Sequence, residues 1–166
     1  MKNIKNFLVA IILVMVGFTT QAQVAHINSE ALVAAMPETK AMGEELKATG
    51  QGFDTEYKAQ ANALQAKLKK YQAEASTKTN EENEKRQVEI AEIQQKLQQY
   101  LTSAREELQK KEFDLLKPII ERAQNAIKEV AKTKGIKYVM DSAPGKGLIV
   151  FEGEDLLPAV KAKLGI

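Results

Sequence analysis

Few residues in this 166-residue sequence could do chemistry, and they do not converge. His26 is the only histidine and there is no cysteine, so a transition-metal site, which draws on imidazole and thiolate, is not expected. The run APGKG, Ala143 to Gly147, has the glycine and lysine of a phosphate cradle. It lacks the full spacing of a phosphate loop and the Ser/Thr that follows the lysine, and it leads towards a strand-like LIVF rather than a helix. A hairpin turn is the simpler expectation. Paired carboxylates, Glu81 with Glu82 and Glu106 with Glu107, are the residue types of acid–base catalysis, but they fall on charged helical faces with no pocket to shift their pKa values. The chain is therefore read as having no catalytic residues, no cofactor and no metal.

The elements that remain are organised around export and helix pairing. Lys2 and Lys5 precede an apolar run from Phe7 to Phe18, and small side chains at Thr20 and Ala22 suit a signal peptidase. Residues 1–22 read as a Sec-type signal peptide cut after Ala22, which places the mature chain in the periplasm with no stable membrane insertion. The whole chain has 24 basic and 22 acidic residues. Lys2 and Lys5 leave with the signal and no acid does, so the mature chain is neutral. Without a basic face to neutralise phosphates, nucleic acid is not expected as a partner.

The mature part carries two long one-sided patterns. From Met42 the better apolar positions are Met42, Leu46, Thr49, Phe53, Tyr57, Gln60, Leu64, Leu68, Tyr71 and Ala75, a 4-3-4 spacing repeating every eleven residues. The same spacing returns at Ile90, Ile93, Leu97, Leu101, Ala104, Leu108, Glu112, Leu115 and Ile119. Each predicts a helix with a narrow apolar seam, and an eleven-residue period predicts nearly straight or slightly right-handed winding. Thr49, Gln60 and Glu112 make the seam weak. Between the arms, Thr79 and Glu82 have capping-box spacing, so the first helix should end near Ser76 and the second start near Asn80. So short a connection predicts an antiparallel hairpin. Gly50 and Gly52 sit inside the first arm, where each costs roughly 0.5–1 kcal/mol relative to alanine; they are candidate hinge residues. Pro118 is a third, at a kink where the seam broadens into Leu115, Leu116, Ile119, Ile120, Ala123, Ile127 and Val130.

Both chain ends read differently from the arms. Val24 to Asn28 alternates as a strand, Ser29 is placed to cap a short helix ending before Pro37, and Gly135 is placed to stop the second arm. Ile136 to Asp141 and Leu148 to Phe151 read as two strands around a Pro-Gly turn, with Asp155 capping a last helix, Leu156 to Leu164. Strands this few leave exposed edges and little core, and oligomerisation is the natural remedy. The expected fold is α+β and predominantly helical. It has a small β body from both chain ends, residues 23–40 and 116–166, and a helical hairpin arm over residues 41–115. Val24, Ile27, Ile136, Val139, Leu148 and Val150 are the candidate core of the body and of its oligomer.

The order of these features, VAHINSEALVAAMP, a long charged hairpin, GIKYVMDS, LIVF and a closing EDLLPAVKAKLG, resembles the Skp/OmpH family of periplasmic chaperones over essentially the whole mature chain. The resemblance implies a jellyfish-like homotrimer with a β-rich body and three helical tentacles around a cavity. It also implies an ATP-independent holdase for unfolded outer-membrane β-barrel proteins in transit. The chain departs from the family's pattern in two places. Asn28 stands where an aspartate is expected, and residues 54–112 hold eleven basic and eleven acidic side chains. That balance puts electrostatic capture of lipopolysaccharide in doubt, and no such residues are carried over.

Physically, a holdase needs many weak contacts rather than one deep pocket, and three arms supply them by multivalency. Phe53, Tyr57, Leu64, Leu68, Tyr71, Leu97, Tyr100 and Leu101 are the candidates either for the arm seam or for client contact. The alternative is an exported coiled-coil structural or adaptor protein of the cell envelope; the polar tip of Ser, Thr, Asn, Glu and Lys speaks against end-on docking.

Overall fold

The computed structural model describes residues 24–166. The signal peptide expected at residues 1–22, with its cleavage site, lies outside the described residues. In chain order the elements are β1 (Val24–Ile27), α1 (Ser29–Ala35), α2 (Pro37–Glu74), a 3-10 turn (Ala75–Thr77), α3 (Asn80–Thr133), β2 (Tyr138–Asp141), β3 (Glu154–Asp155) and α4 (Leu157–Leu164). The chain divides into two compact units. One comprises β1 through Leu32 with Ala123–Ile166, and the other is Val33–Arg122.

The first unit holds a three-stranded sheet in the order β2-β1-β3, with β1 in the middle and parallel to both neighbours. Val24 to Ile27 pair with Tyr138 to Asp141 in register, and Ala25 and His26 pair with Glu154 and Asp155. Alternation along β1 buries Ala25 and Ile27 and turns Val24 outward. Leu32, Ala143, Leu156 and Val160 are also enclosed in this unit. Asp141 fastens the sheet to α1: its carboxylate accepts from the Ser29 N–H at 3.1 Å, the Ser29 hydroxyl at 2.6 Å and the Ala143 N–H at 3.0 Å. Desolvation pushes this carboxyl up, but those donors, with Lys146 nearby, outweigh it and leave the pKa lowered.

Local chemistry explains the boundaries. Asn28 rather than Ser29 caps α1, its Oδ1 accepting from the Ala31 N–H at 2.8 Å. Ser29 is the first helical residue and spends its hydroxyl on Asp141. Met36, held extended ahead of Pro37, ends α1, and Pro37 opens α2 where its missing N–H costs nothing. Gly135, left-handed at φ 69°, closes α3 with paired bonds from its own N–H to Lys132 O and from Ile136 N–H to Ala131 O.

Two expectations for the C-terminal strands are corrected. Leu148 to Phe151 form no strand; the third strand is the two-residue Glu154–Asp155. Ala143 to Gly147 is a turn, but not a hairpin turn, because β2 and β3 flank β1 instead of pairing with each other. A strand exists only where a neighbour offers a ladder, and within one chain the free edge of β1 goes to Glu154 and Asp155. Gly153 makes that approach possible: a Cβ there would lie 3.1 Å from the Val24 carbonyl oxygen. Gly153→Ala should push β3 off β1 and lower the unfolding free energy by about 1–3 kcal/mol, measured by urea denaturation. Gly52→Ala, where the added methyl meets open space, should not destabilise the chain and serves as the control.

The second unit is the arm. α2 has 38 residues and α3 has 54, about 57 Å and about 80 Å at the helical rise. The capping box joins them as the spacing predicts: the Thr79 N–H donates to the Glu82 carboxylate at 3.0 Å and the Glu82 N–H to the Thr79 hydroxyl at 3.2 Å.

Candidate functional site

The eleven-residue spacing is the arm's packing code. On α2, every predicted seam position from Met42 to Tyr71 is half-buried, while the residues between them are mostly exposed. On α3, Ile90, Leu97, Ala104 and Ile119 are buried, and Ile93, Leu101, Leu108 and Leu115 are half-buried. The weak position at Glu112 is resolved by a shift of one residue: Glu112 is exposed and Lys111 takes the half-buried place, paired with Glu45 at 2.9 Å. No residue of α2 is fully buried. The seam is a narrow one, supplemented by polar ties.

These ties fix the antiparallel register. From tip to root they are Glu74 with Arg86 at 2.6 Å, Glu89 with both Lys67 and Tyr71, Glu56 with the Tyr100 hydroxyl at 2.9 Å, Glu45 with Lys111, and Glu38 with Arg122. Aromatic rings reinforce two of them. Arg86 lies 4.4 Å over the Tyr71 ring, and Phe53 meets Tyr100 edge-on at 6.3 Å. Near the tip a groove of about 420 Å³ runs past Leu68, Tyr71, Arg86 and Ile90. Its guanidinium is already engaged by Glu74 and Tyr71.

The sequence-derived arm candidates therefore sit as follows. Phe53, Tyr57, Leu64, Leu68, Tyr71, Tyr100 and Leu101 are half-buried, and Leu97 is buried. Gly50 and Gly52 lie within unbroken α2; an added methyl at Gly50 would meet Leu108 at 3.9 Å. Pro118 lies within α3, which continues through it to Thr133. Among the body candidates, Ile27 is buried, Ile136, Val139 and Leu148 are half-buried, and Val24 and Val150 are exposed.

Sequence reasoning named Val24 and Val150 for the oligomer core but missed Tyr138, Met140 and Ile149. Parallel register puts Val24 beside Tyr138 and His26 beside Met140 on the same face of the sheet. Tyr138 is 66% exposed and Met140 47%. Beyond them the irregular Leu148–Phe151 segment leaves Ile149 92% and Val150 75% exposed. Phe151 tilts onto the His26 ring, centroids 4.5 Å apart, and His26 Nδ1 lies 3.3 Å from the Ser142 hydroxyl. The signal was present in VAHI and YVMD, whose outward positions include Val24, Tyr138 and Met140. Among the described residues, no three His, Asp or Glu side chains gather to hold a metal ion, and no helix is long and apolar enough to cross a membrane.

Fold and surface define a class: an α+β protein with a long helical hairpin and a small parallel sheet, with bare apolar side chains beside that sheet. The chain belongs to the OmpH-like outer membrane protein family, whose profile matches residues 23–164. It is 22% identical to the Skp chaperone of Pectobacterium atrosepticum over 120 residues, 72% of this chain and 73% of that one. The Skp chaperone of Yersinia enterocolitica is likewise 22% identical, over 73% of this chain and 74% of its own. The fold matches a crystal structure described as an OmpH-like outer membrane chaperone from Caulobacter crescentus, with a TM-score of 0.76 and 19% identity, covering 89% of this chain and 86% of that one.

The Glu89 tie makes the arm pH-sensitive. Hydrogen bonding from Lys67, then from Tyr71, holds the Glu89 carboxyl below its usual range, and Glu89 in turn raises Lys67 and Tyr71. A lowered carboxylate stabilises the arm above its unfolded value and loses that contribution as pH falls through the folded one; the raised Lys67 and Tyr71 lose theirs as pH rises through their folded values. Thermal melts followed by circular dichroism should therefore be highest between about pH 5 and about pH 9. Glu89→Gln should flatten the acid side. An acid limb just as steep in that variant would remove Glu89 from the account.

Proposed function

We propose that this chain is a periplasmic holdase that works without nucleotide. Exported by an N-terminal signal and assembled as a homotrimer, it holds unfolded outer-membrane β-barrel proteins in a cavity between the helical arms and keeps them from aggregating. The observation that carries the reading is the uncovered apolar face of Val24, Tyr138 and Met140, with Ile149 and Val150 of the following segment also bare. An unclosed three-stranded sheet with such a face asks for partner copies, and its family relatives are chaperones by name. Residues 23–40 with 116–166 act as the assembling body, with Val24, Ile27, Ile136, Val139, Leu148 and Val150 at its core, and residues 41–115 as the arm. Release needs no nucleotide because the client's folding into the membrane is irreversible. Arm residues flanking the seam give the client many weak contacts, and multivalency turns these into strong total binding.

The test is to dilute a urea-unfolded outer-membrane barrel protein into the purified chain, follow light scattering, and weigh the soluble complex by size exclusion with multi-angle scattering. Suppressed aggregation without nucleotide, in a complex of three chains per client, is expected. A trimer that leaves aggregation unchanged would instead favour a structural role in the envelope, and a stable monomer would overturn the assembly.

Gly50 and Gly52 belong to the same proposal as hinge residues near the arm's root, together with Pro118. Both glycines accept a methyl without clash, so the Gly50→Ala/Gly52→Ala chain should fold and gain roughly 0.5–1 kcal/mol of helix stability per site. Its expected defect is functional: a narrower range of client sizes held in solution. Equal capture of small and large clients by the variant would sink the hinge.

A further inference from the structure

α3 carries a second apolar stripe, distinct from the seam. Phe113, Leu116 and Ile120 follow a 3-4 spacing, and the heptad continues along the helix at Ala123, Ile127 and Val130. Ala123 and Val130 are buried and Ile127 is half-buried. Over the first three positions the stripe is uncovered: Phe113 is 67% exposed, Ile120 is 38% exposed and Leu116 is half-buried. At 3.6 residues per turn the centre of Phe113, Leu116 and Ile120 lies roughly 110° around α3 from the seam of Leu108, Leu115 and Ile119. One helix thus has an eleven-residue face turned to α2 and a seven-residue face turned to nothing within its own unit.

We infer that this stripe is the contact between the α3 helices of neighbouring copies, packed side by side in parallel. The inference rests on the self-association proposed above and names a surface for it outside the sheet. A 3-4 repeat is the spacing that seats knobs into holes on a like helix in a left-handed pair. Charge agrees with the occupant. If Phe113 is an a position and Leu116 a d position, Glu112 and Lys117 take the flanking g and e positions, which meet across a parallel pair of helices five residues apart. Both side chains are exposed, and neither makes an ion pair among the described residues. Glu112 is also the residue that Lys111 displaces from the seam. The substitution that weakens packing onto α2 is the one that supplies the acidic flank of the second stripe. An unfolded client would be served by apolar side chains at any spacing and has no use for an acid and a base on opposite flanks.

Because the natural chain has no cysteine, single cysteines report the contact directly. Ile120→Cys sits on the stripe, and Val88→Cys, also exposed, sits elsewhere on the same helix. In the purified chain, mild oxidation should convert Ile120→Cys to disulfide-linked pairs at least about tenfold faster than Val88→Cys, since side-by-side helices bring like positions within bridging distance. Glu112→Lys should slow that cross-linking, and adding Lys117→Glu should restore it. The native mass of the unsubstituted chain by light scattering separates the two layers of the argument. An oligomer in which both cysteines cross-link equally slowly, or in which Ile120→Cys is captured by an unfolded client and not by its own copy, overturns the stripe alone. A monomer overturns self-association and the stripe with it.

Discussion

The structure depends on a strand that arrives first and is used last. β1 is four residues long, and it is the only strand that both others touch. Its partners, β2 and β3, begin more than a hundred residues further along the chain. Neither can form a ladder until the helical excursion has gone out and come back. The sheet is parallel, so the chain between β1 and β2 also has to cross to the end of the sheet at which β1 began. Non-local pairing of this kind pays its loop-closure entropy before any contact rewards it. The Asp141 carboxylate, shared among Ser29, its hydroxyl and Ala143, is the polar fastening made at that closure.

The arm solves a different problem with little apolar material. A helix pair in water needs an inward face, and here α2 buries no residue completely. Leu97, Ile90 and Ile119 of α3 carry the dry part of the seam, and carboxylates on either helix reach across to Lys, Arg or Tyr on the other. Exposed ion pairs contribute little each, so the ties act more on register than on total stability. A pair of helices held this way keeps its alignment without a wide apolar core.

What the sequence disclosed and what it hid divide along the distance between interacting residues. The Thr79–Glu82 box, the Gly135 stop, Pro37 and the eleven-residue seam are written within a turn or two of the backbone, and each was legible. The seam slipped at Ala75, exposed in the 3-10 turn, and at Glu112, where a neighbouring lysine found a long-range partner in Glu45. Asn28 and Ser29 are adjacent and both are good caps; what separated them was Asp141, 112 residues away, which claimed the serine. The LIVF segment has every local mark of a strand, yet it joins no ladder, and the second edge of β1 goes to Glu154 and Asp155. At Phe113, Leu116 and Ile120, two apolar periods overlap on one helix, and their sum reads as a single broad surface until exposure separates them.

That irregular apolar segment has a further consequence. Ile149, Val150 and Phe151, rich in strand-forming side chains and largely bare, are the kind of sequence that nucleates cross-β stacking between molecules. Here it is fenced. Pro144, Gly145, Lys146 and Gly147 stand before it, and Glu152, Gly153, Glu154 and Asp155 after it. Chain breakers and charges of one sign on each side confine the sticky run to Leu148 through Phe151, shorter than the five- to seven-residue windows that most readily seed amyloid. These gatekeepers let the chain display an adhesive strand-former without offering a template on which copies of itself can pile up indefinitely.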